Sequence, residues 1–231
     1  MKVIVSDFDN TFYDNNFDDN IKIINAFVDE GNLFVLATSK SLNELLNIIE
    51  NKKINCQYYV CNNGAVIYDK YYNPIYRKDI EKKDLKDIIN YLISDDNYYD
   101  ILIDTTNGYT SDYNRCANKL VCKYKNRNLI DQEIKKLLEK NPSISIYLNE
   151  YYINIADKYI SKGNAIKFIM MYGNLTINQI FTIGDDINDL SMLKGFISFC
   201  INHNNKLAYN AKYTVNSFKE FINILKNDSR I

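Results

Sequence analysis

Three short, unbroken apolar runs constrain this chain most: Val3–Val5, Leu33–Ala37 and Tyr58–Cys61. Each has strand length, and segments of helical spacing separate them. Ile21, Ile24, Phe27 and Val28 recur at that spacing before Gly31, and Leu42, Leu45, Leu46 and Ile49 repeat the pattern. Ser41 with Glu44 three residues on predicts a capping box for the second helix. A strand with one polar face would alternate apolar and polar residues. Unbroken runs joined by helices predict a parallel sheet covered on both faces. Asn62-Asn63-Gly64 reads as a turn leading to a further strand over Ala65–Tyr68.

From about residue 79 the texture changes. Leu85, Ile88, Ile89 and Leu92 form one stripe of a helix over Glu81–Ile93, and Asp100–Thr105 reads as a strand. A second helix over Asp131–Lys140 stops at Asn141-Pro142. Ser143–Leu148 and Tyr151–Ala156 alternate, which predicts half-buried antiparallel strands. Residues 106–130 carry no clear period. At Ser161 the first texture returns, with a helix to about Tyr172, a strand at Ile180–Ile183 and a last helix near Ser217–Leu225. The expected organisation is an α/β core of residues 1–78 and 161–231 with a small α+β module, 79–160, inserted into it.

The 231 residues, 46% hydrophobic, suffice for such a core and a small second module. A net charge of −1 offers no general attraction to nucleic acid or anionic membranes, so neither is an expected partner. No apolar run approaches bilayer-spanning length, and the opening MKVIVSDFDN lacks a signal-type apolar segment. The five cysteines form no C-x-x-C pair and are read as buried, reduced thiols of a cytoplasmic protein. His203 is the single histidine and lies in a polar, turn-like stretch without a neighbouring nucleophile. Carboxylates, lysines and hydroxyls are therefore expected to carry any chemistry.

Those groups gather where strands end. Asp7 and Asp9 close the first strand, Thr38 and Ser39 the second, and Asp185, Asp186, Asn188 and Asp189 a late one. Lys162 opens the helix after the inserted block. In open parallel sheets, ligands bind beyond the carboxyl ends of the strands, so these clusters are expected to converge. Several carboxylates held together cannot all stay charged without a cation, and oxygen-only donors suit Mg²⁺. A lysine and a threonine hydroxyl can bind the remaining oxygens of a phosphate group. One aspartate is then available to attack phosphorus and another to move the proton.

Val3–Thr11, V-I-V-S-D-F-D-N-T, resembles the first motif of the haloacid dehalogenase superfamily, D-x-D-x-T after an apolar strand. Leu33–Lys40 resembles its second motif, Ser161–Ala165 (S-K-G-N-A) its third and Ile183–Leu190 (I-G-D-D-I-N-D-L) its fourth. Cys61–Ala65, C-N-N-G-A, is similar to a turn of the Cof-like branch. The resemblance implies a Rossmann-like, doubly wound core with a compact cap. It implies Asp7 as nucleophile and Asp9 as acid and base. Mg²⁺ would be held by Asp7, the carbonyl of Asp9 and Asp185. Thr38, Lys162 and Asn188 would serve the phosphoryl group, with Asp189, Ser39 and Asn63 supporting. Two positions depart from the pattern: Asn10 stands where Gly is usual, and Lys40 where Arg is frequent. The resemblance extends to compact-cap phosphatases of phosphoglycolate, sucrose phosphate and mannosylglycerate phosphate.

The expected activity is hydrolysis of a small phosphorylated metabolite, a sugar or organic-acid phosphate, by a monomer or small homo-oligomer. The alternatives are phosphotransfer of the phosphomannomutase type, a receiver-like signalling module and a non-catalytic binding protein. Receivers are shorter and lack a first-strand D-x-D. Taken singly, the residues have plainer readings: Asp7 and Asp9 as a solvated strand end, Thr38 as a cap, Lys162 as an exposed lysine and Asp189 as a helix first-turn acid. Tyr109, Tyr113 and Tyr147 are candidate linings of a pocket in the inserted block, whereas Lys123, Lys125 and Arg127 read as a solvated face.

Overall fold

The computed structural model describes residues 1–105, 108–148, 152–201 and 205–227. Strands and helices alternate through β1 (Val3–Asp7), α1 (Phe17–Asp29), β2 (Leu33–Ala37), α2 (Leu42–Ile48) and β3 (Tyr58–Cys61), followed by β4 (Val66–Asp69) and β5 (Pro74–Arg77). The middle of the chain forms α3 (Lys82–Ile93), β6 (Tyr98–Thr105), β7 (Gly108–Thr110), β8 (Lys119–Tyr124), α4 (Arg127–Lys140), β9 (Ile144–Leu148) and β10 (Tyr152–Asp157). The remainder forms α5 (Lys162–Tyr172), β11 (Ile180–Gly184), α6 (Leu190–Leu193), β12 (Ile197–Ile201), α7 (Asn205–Ala208), β13 (Tyr213–Val215) and α8 (Phe218–Asn227).

The eight-stranded sheet runs β13-β12-β11-β1-β2-β3-β4-β5. Every pairing from β13 to β3 is parallel, and β4 turns back antiparallel on β3. The unbroken apolar runs have the physical role their composition predicts. Val3, Ile4, Phe34, Val35 and Leu36 are fully buried in the middle of the sheet. Excluding one such apolar side chain from water contributes roughly 1.5–3 kcal/mol. Asn10 takes a left-handed backbone, φ 55°, as the Asn-for-Gly substitution requires. The Ser41–Glu44 capping box forms, with Ser41 N–H donating to Glu44 Oε2 at 2.7 Å.

The chain divides into two compact units, Met1–Ser39 with Ile49–Ile75 and Ser161–Ile231, and Lys40–Ile48 with Tyr76–Ile160. The segment carrying α2, which the sequence reading keeps with the core, groups with the second unit. In that unit a five-stranded sheet runs β7-β6-β8-β10-β9, and its pairings are antiparallel. One face carries Ile103, Leu120, Cys122, Ile153 and Ile155, which pack with Leu85, Ile88, Ile89 and Leu92 of α3. The stretch without a clear period supplies β7 and β8. Lys119 of β8 is buried against Asp104 at 3.3 Å, and Lys123 is held by Asp100 at 2.8 Å.

Asp100, Leu102, Tyr109, Val121, Lys123, Tyr152 and Asn154 line a cavity of about 430 Å³ in the second unit. Tyr109 is thus a lining residue, as expected. Tyr113 instead donates its hydroxyl to the Ile101 carbonyl at 2.9 Å and packs against the apolar cluster. Lys123 stays in contact with solvent, as the solvated-face reading expects, and the pairing of β6, β8 and β10 also sets it on the cavity wall. Four cysteines are buried, and burial pushes the thiols of Cys56 and Cys122 up to about 12; Cys116 is exposed. Among the described residues, no helix is long and apolar enough to cross a membrane. His203 lies outside the described residues.

Candidate active site

β1 and β11 are parallel neighbours, so their carboxyl ends emerge side by side. Asp7 is the last residue of β1, and Asp185 follows the last residue of β11. Lys162 opens α5 and is fully buried. Its ammonium is paired with Asp7 Oδ1 and, at 2.6 Å, with Asp189 Oδ1. One carboxylate oxygen from each of Asp7, Asp185 and Asp189 lies within 4.8 Å of the others. The fold therefore joins residues from the first, third and fourth sequence clusters at one point.

Asp189 is the hub of this centre. It is completely buried, and its second oxygen, Oδ2, accepts the backbone N–H groups of Asp185 at 3.0 Å and Asp186 at 3.1 Å. Its two oxygens thus serve the lysine and the turn after β11, which makes it a support for Lys162 and Asp185. Gly184 is necessary beside it: a Cβ there would lie 2.5 Å from Asp189 Oδ2. Asp186 is exposed and caps the turn by accepting Ile187 N–H at 2.7 Å.

The structure also supplies a partner that the sequence reading left without a role. Thr11 is fully buried and donates its hydroxyl to Asp185 Oδ1 at 2.7 Å. Its place in the D-x-D-x-T run was the available signal. Thr38 follows β2, is fully buried, donates its N–H to Val60 O at 2.8 Å and accepts Asn63 N–H at 2.9 Å. Ser39 is half-buried next to it, and Asn63 is half-buried at the adjoining turn. Asp9 is half-buried in a tight loop closed by Tyr13 N–H to Phe8 O at 2.7 Å and Asn10 N–H to Tyr13 O at 3.0 Å. Asp9 is not in the acidic trio. Asn188 Oδ1 is buried and has no hydrogen-bond partner among the described residues.

Electrostatics define what the centre can hold. Burial pushes the Asp7 carboxyl well above the usual carboxylate range; Lys162 opposes this, while Asp189 and Asp185 reinforce it. Asp185 is raised for the same first reason, desolvation, with Thr11 opposing and Asp189 adding to the shift. For Lys162, burial alone would lower the pKa, but Asp189 and Asp7 outweigh it and hold the ammonium charged. With all three carboxyls ionised, one ammonium would leave a negative excess, which is why burial favours protonating Asp7 and Asp185 in the absence of a cation. An all-oxygen donor set with that excess fits a hard divalent cation.

The acidic, lysine-bearing centre thus lies at the strand ends of a doubly wound parallel core, where such folds bind their ligands. A family profile described as haloacid dehalogenase-like hydrolase matches residues 4–115 and 97–226. The chain belongs to the haloacid dehalogenase-like hydrolases. A protein of Buchnera aphidicola subsp. Baizongia pistaciae, named as a candidate phosphatase, is 30% identical over 224 residues, covering 83% of this chain and 82% of its own. Among solved structures, a haloacid dehalogenase-like hydrolase from B. subtilis superposes with TM-score 0.82 at 18% identity, covering 99% of this chain and 100% of that one. A subclass IIB sugar phosphatase of the superfamily gives 0.79 at 16% identity, covering both chains fully, 100% and 100%. These structural likenesses show the shared fold.

Proposed function

We propose that the chain hydrolyses a small phosphate monoester, a sugar or organic-acid phosphate, through an aspartyl-phosphate on Asp7, with Mg²⁺ as cofactor. The observation that carries this reading is the buried Asp7 carboxylate, paired with Lys162 inside the acidic trio. Family membership and the phosphatase relatives support it. Asp7 attacks phosphorus, the bond to the leaving oxygen breaks, and Asp9 gives that oxygen its proton. Asp9 then removes a proton from water, which attacks the aspartyl-phosphate and frees Asp7 and inorganic phosphate. Lys162 and Thr38 bind phosphoryl oxygens, Asn188 assists near them, and Asp189 holds Lys162 in place. Asp7 and Asp185, with the carbonyl of Asp9, are the residues that would hold the cation. When bound, the cation offsets charge on the transferring group and keeps Asp7 ionised. The inserted unit would select the substrate. Incubation of the folded protein with Mg²⁺ and a panel of sugar and organic-acid phosphates tests the reading by release of inorganic phosphate. No release from any of them, with Mn²⁺ and Co²⁺ also tried, would defeat it.

The raised carboxyls give this reading a pH signature. Without a cation, folding is favoured while Asp7 and Asp185 are protonated, and that contribution is lost as pH rises through their raised pKa values. A cation must displace those protons, so its affinity rises with pH. The window lies above the usual carboxylate value of about 4. The Tm gain produced by Mg²⁺ is expected to be larger at pH 7.5 than at pH 5.0. In the same window Kd should tighten by about tenfold per pH unit for each proton displaced. An equal gain at both pH values would mean that the ion displaces no proton from these carboxyls between them.

A further inference from the structure

The turn Asn62–Gly64 follows β3, and its backbone is unusual. Asn62 and Asn63 have φ of 50° and 56°, and Gly64 has φ of 101°, three left-handed residues in succession. Such conformations persist where surrounding structure imposes them. Two contacts show what imposes them here. Asn63 N–H donates to the carbonyl of Thr38 at 2.9 Å, while Thr38 N–H is held by Val60 of β3 at 2.8 Å. On its other side the turn abuts the start of α5. A Cβ on Gly64 would overlap the Ser161 carbonyl oxygen and lie 2.7 Å from its carbon and 3.2 Å from Lys162 N. The start of α5 is equally tight on its far side, where a Cβ on Gly163 would lie 2.6 Å from the Ser191 carbonyl carbon. Gly163 N–H also donates to Ser191 Oγ at 3.1 Å.

We propose that Asn62–Gly64 is a positioning brace that sets the separation of Thr38 and Lys162, and with it the geometry of the phosphate site. The proposal rests on the reading that these two residues bind phosphoryl oxygens. The backbone of Thr38 is tied to β3 and to the turn, and the backbone of Lys162 rests against the turn through Ser161. No side chain of the turn is needed for this. What matters is that nothing larger than hydrogen stands at Gly64, because a Cβ there forces the turn, which holds Thr38, and the Ser161–Lys162 backbone to shift relative to each other. A displacement of about 1 Å at a phosphate-binding group can cost on the order of 10²-fold in rate.

The structure contains a matched control. Gly31 also has a positive φ, 87°, but a Cβ there meets nothing within 4 Å. Gly31→Ala and Gly64→Ala incur similar backbone strain, and only the second moves the start of α5. Binding of inorganic phosphate in the presence of Mg²⁺, measured by calorimetry, gives a readout that does not depend on turnover. Gly64→Ala is expected to weaken phosphate binding at least about tenfold, while Gly31→Ala stays within about twofold of the parent. On any hydrolysed ester, kcat/KM should follow the same order. Gly64→Asn carries the same Cβ with a smaller left-handed penalty, and serves if the alanine variant does not fold. A folded Gly64 variant with parental phosphate affinity overturns the brace. So does failure of both Gly64 variants to fold beside a folded Gly31→Ala, which would assign Gly64 to the fold alone. If the parent protein binds phosphate but hydrolyses no ester, the proposed function fails while the brace is still tested by the affinities.

Discussion

Asp7→Asn is expected to reduce turnover by about 10³-fold or more while the protein stays folded. An amide cannot form the acyl-phosphate bond on which the proposed cycle depends, and loss of an attacking group typically has effects of this size or larger. The fold has little reason to suffer. Asp7 is buried at a cost that raises its pKa, and it is one of three carboxylates facing a single ammonium. Asparagine keeps the size and relieves part of that repulsion, while Lys162 retains Asp189. The metal-free Tm should therefore remain within a few degrees of the parent, and the Tm gain from Mg²⁺ should shrink. Phosphate release and thermal melts with and without Mg²⁺ read both effects. Parental turnover in Asp7→Asn would remove Asp7 as nucleophile.

Lys162→Ala has the opposite balance, because both activity and stability should collapse. Lys162 is fully buried and is the cation that Asp7 and Asp189 share. Without it two buried carboxylates are left facing each other, and removing one partner of a buried ion pair typically costs about 3–5 kcal/mol. For a chain of this size that corresponds to a Tm loss of roughly 10 °C or more. The sign of the pH dependence follows from the same charges. Protonating the stranded carboxylates relieves the repulsion, so the stability deficit against the parent should narrow between pH 7.5 and pH 5.0. A deficit that is small, or that widens on acidification, would mean that Lys162 does not neutralise this centre. Denaturant titrations at the two pH values make the comparison.

Periodicity made the parallel core legible. Unbroken apolar strands and intervening helical stripes are local patterns, and burial of both sheet faces enforces them. Spacing also exposed the alternating strands β9 and β10 of the second unit. Residues 106–130 resisted because β8 mixes Lys119 and Lys123 with Leu120 and Cys122, and Lys119 looks solvated until Asp104 is brought across from β6. Tyr113 gave no local sign that it packs inward rather than lining the cavity.

Asp7, Asp9, Thr38, Lys162 and Asp185 were candidates from residue type and from position at strand or helix ends. Their sequence alone determined that carboxylates, a lysine and hydroxyls would lie at the carboxyl ends of a parallel sheet. It did not determine which of them pair. Asp189 became the hub, gripping Lys162 and two backbone amides, and Thr11 became the partner of Asp185 across 174 positions of chain. Gly64 became a contact of Ser161. Local pattern reports which face of a strand or helix is apolar. Which polar groups meet depends on parallel registry between strands distant in sequence and on close approaches that only the packed core enforces.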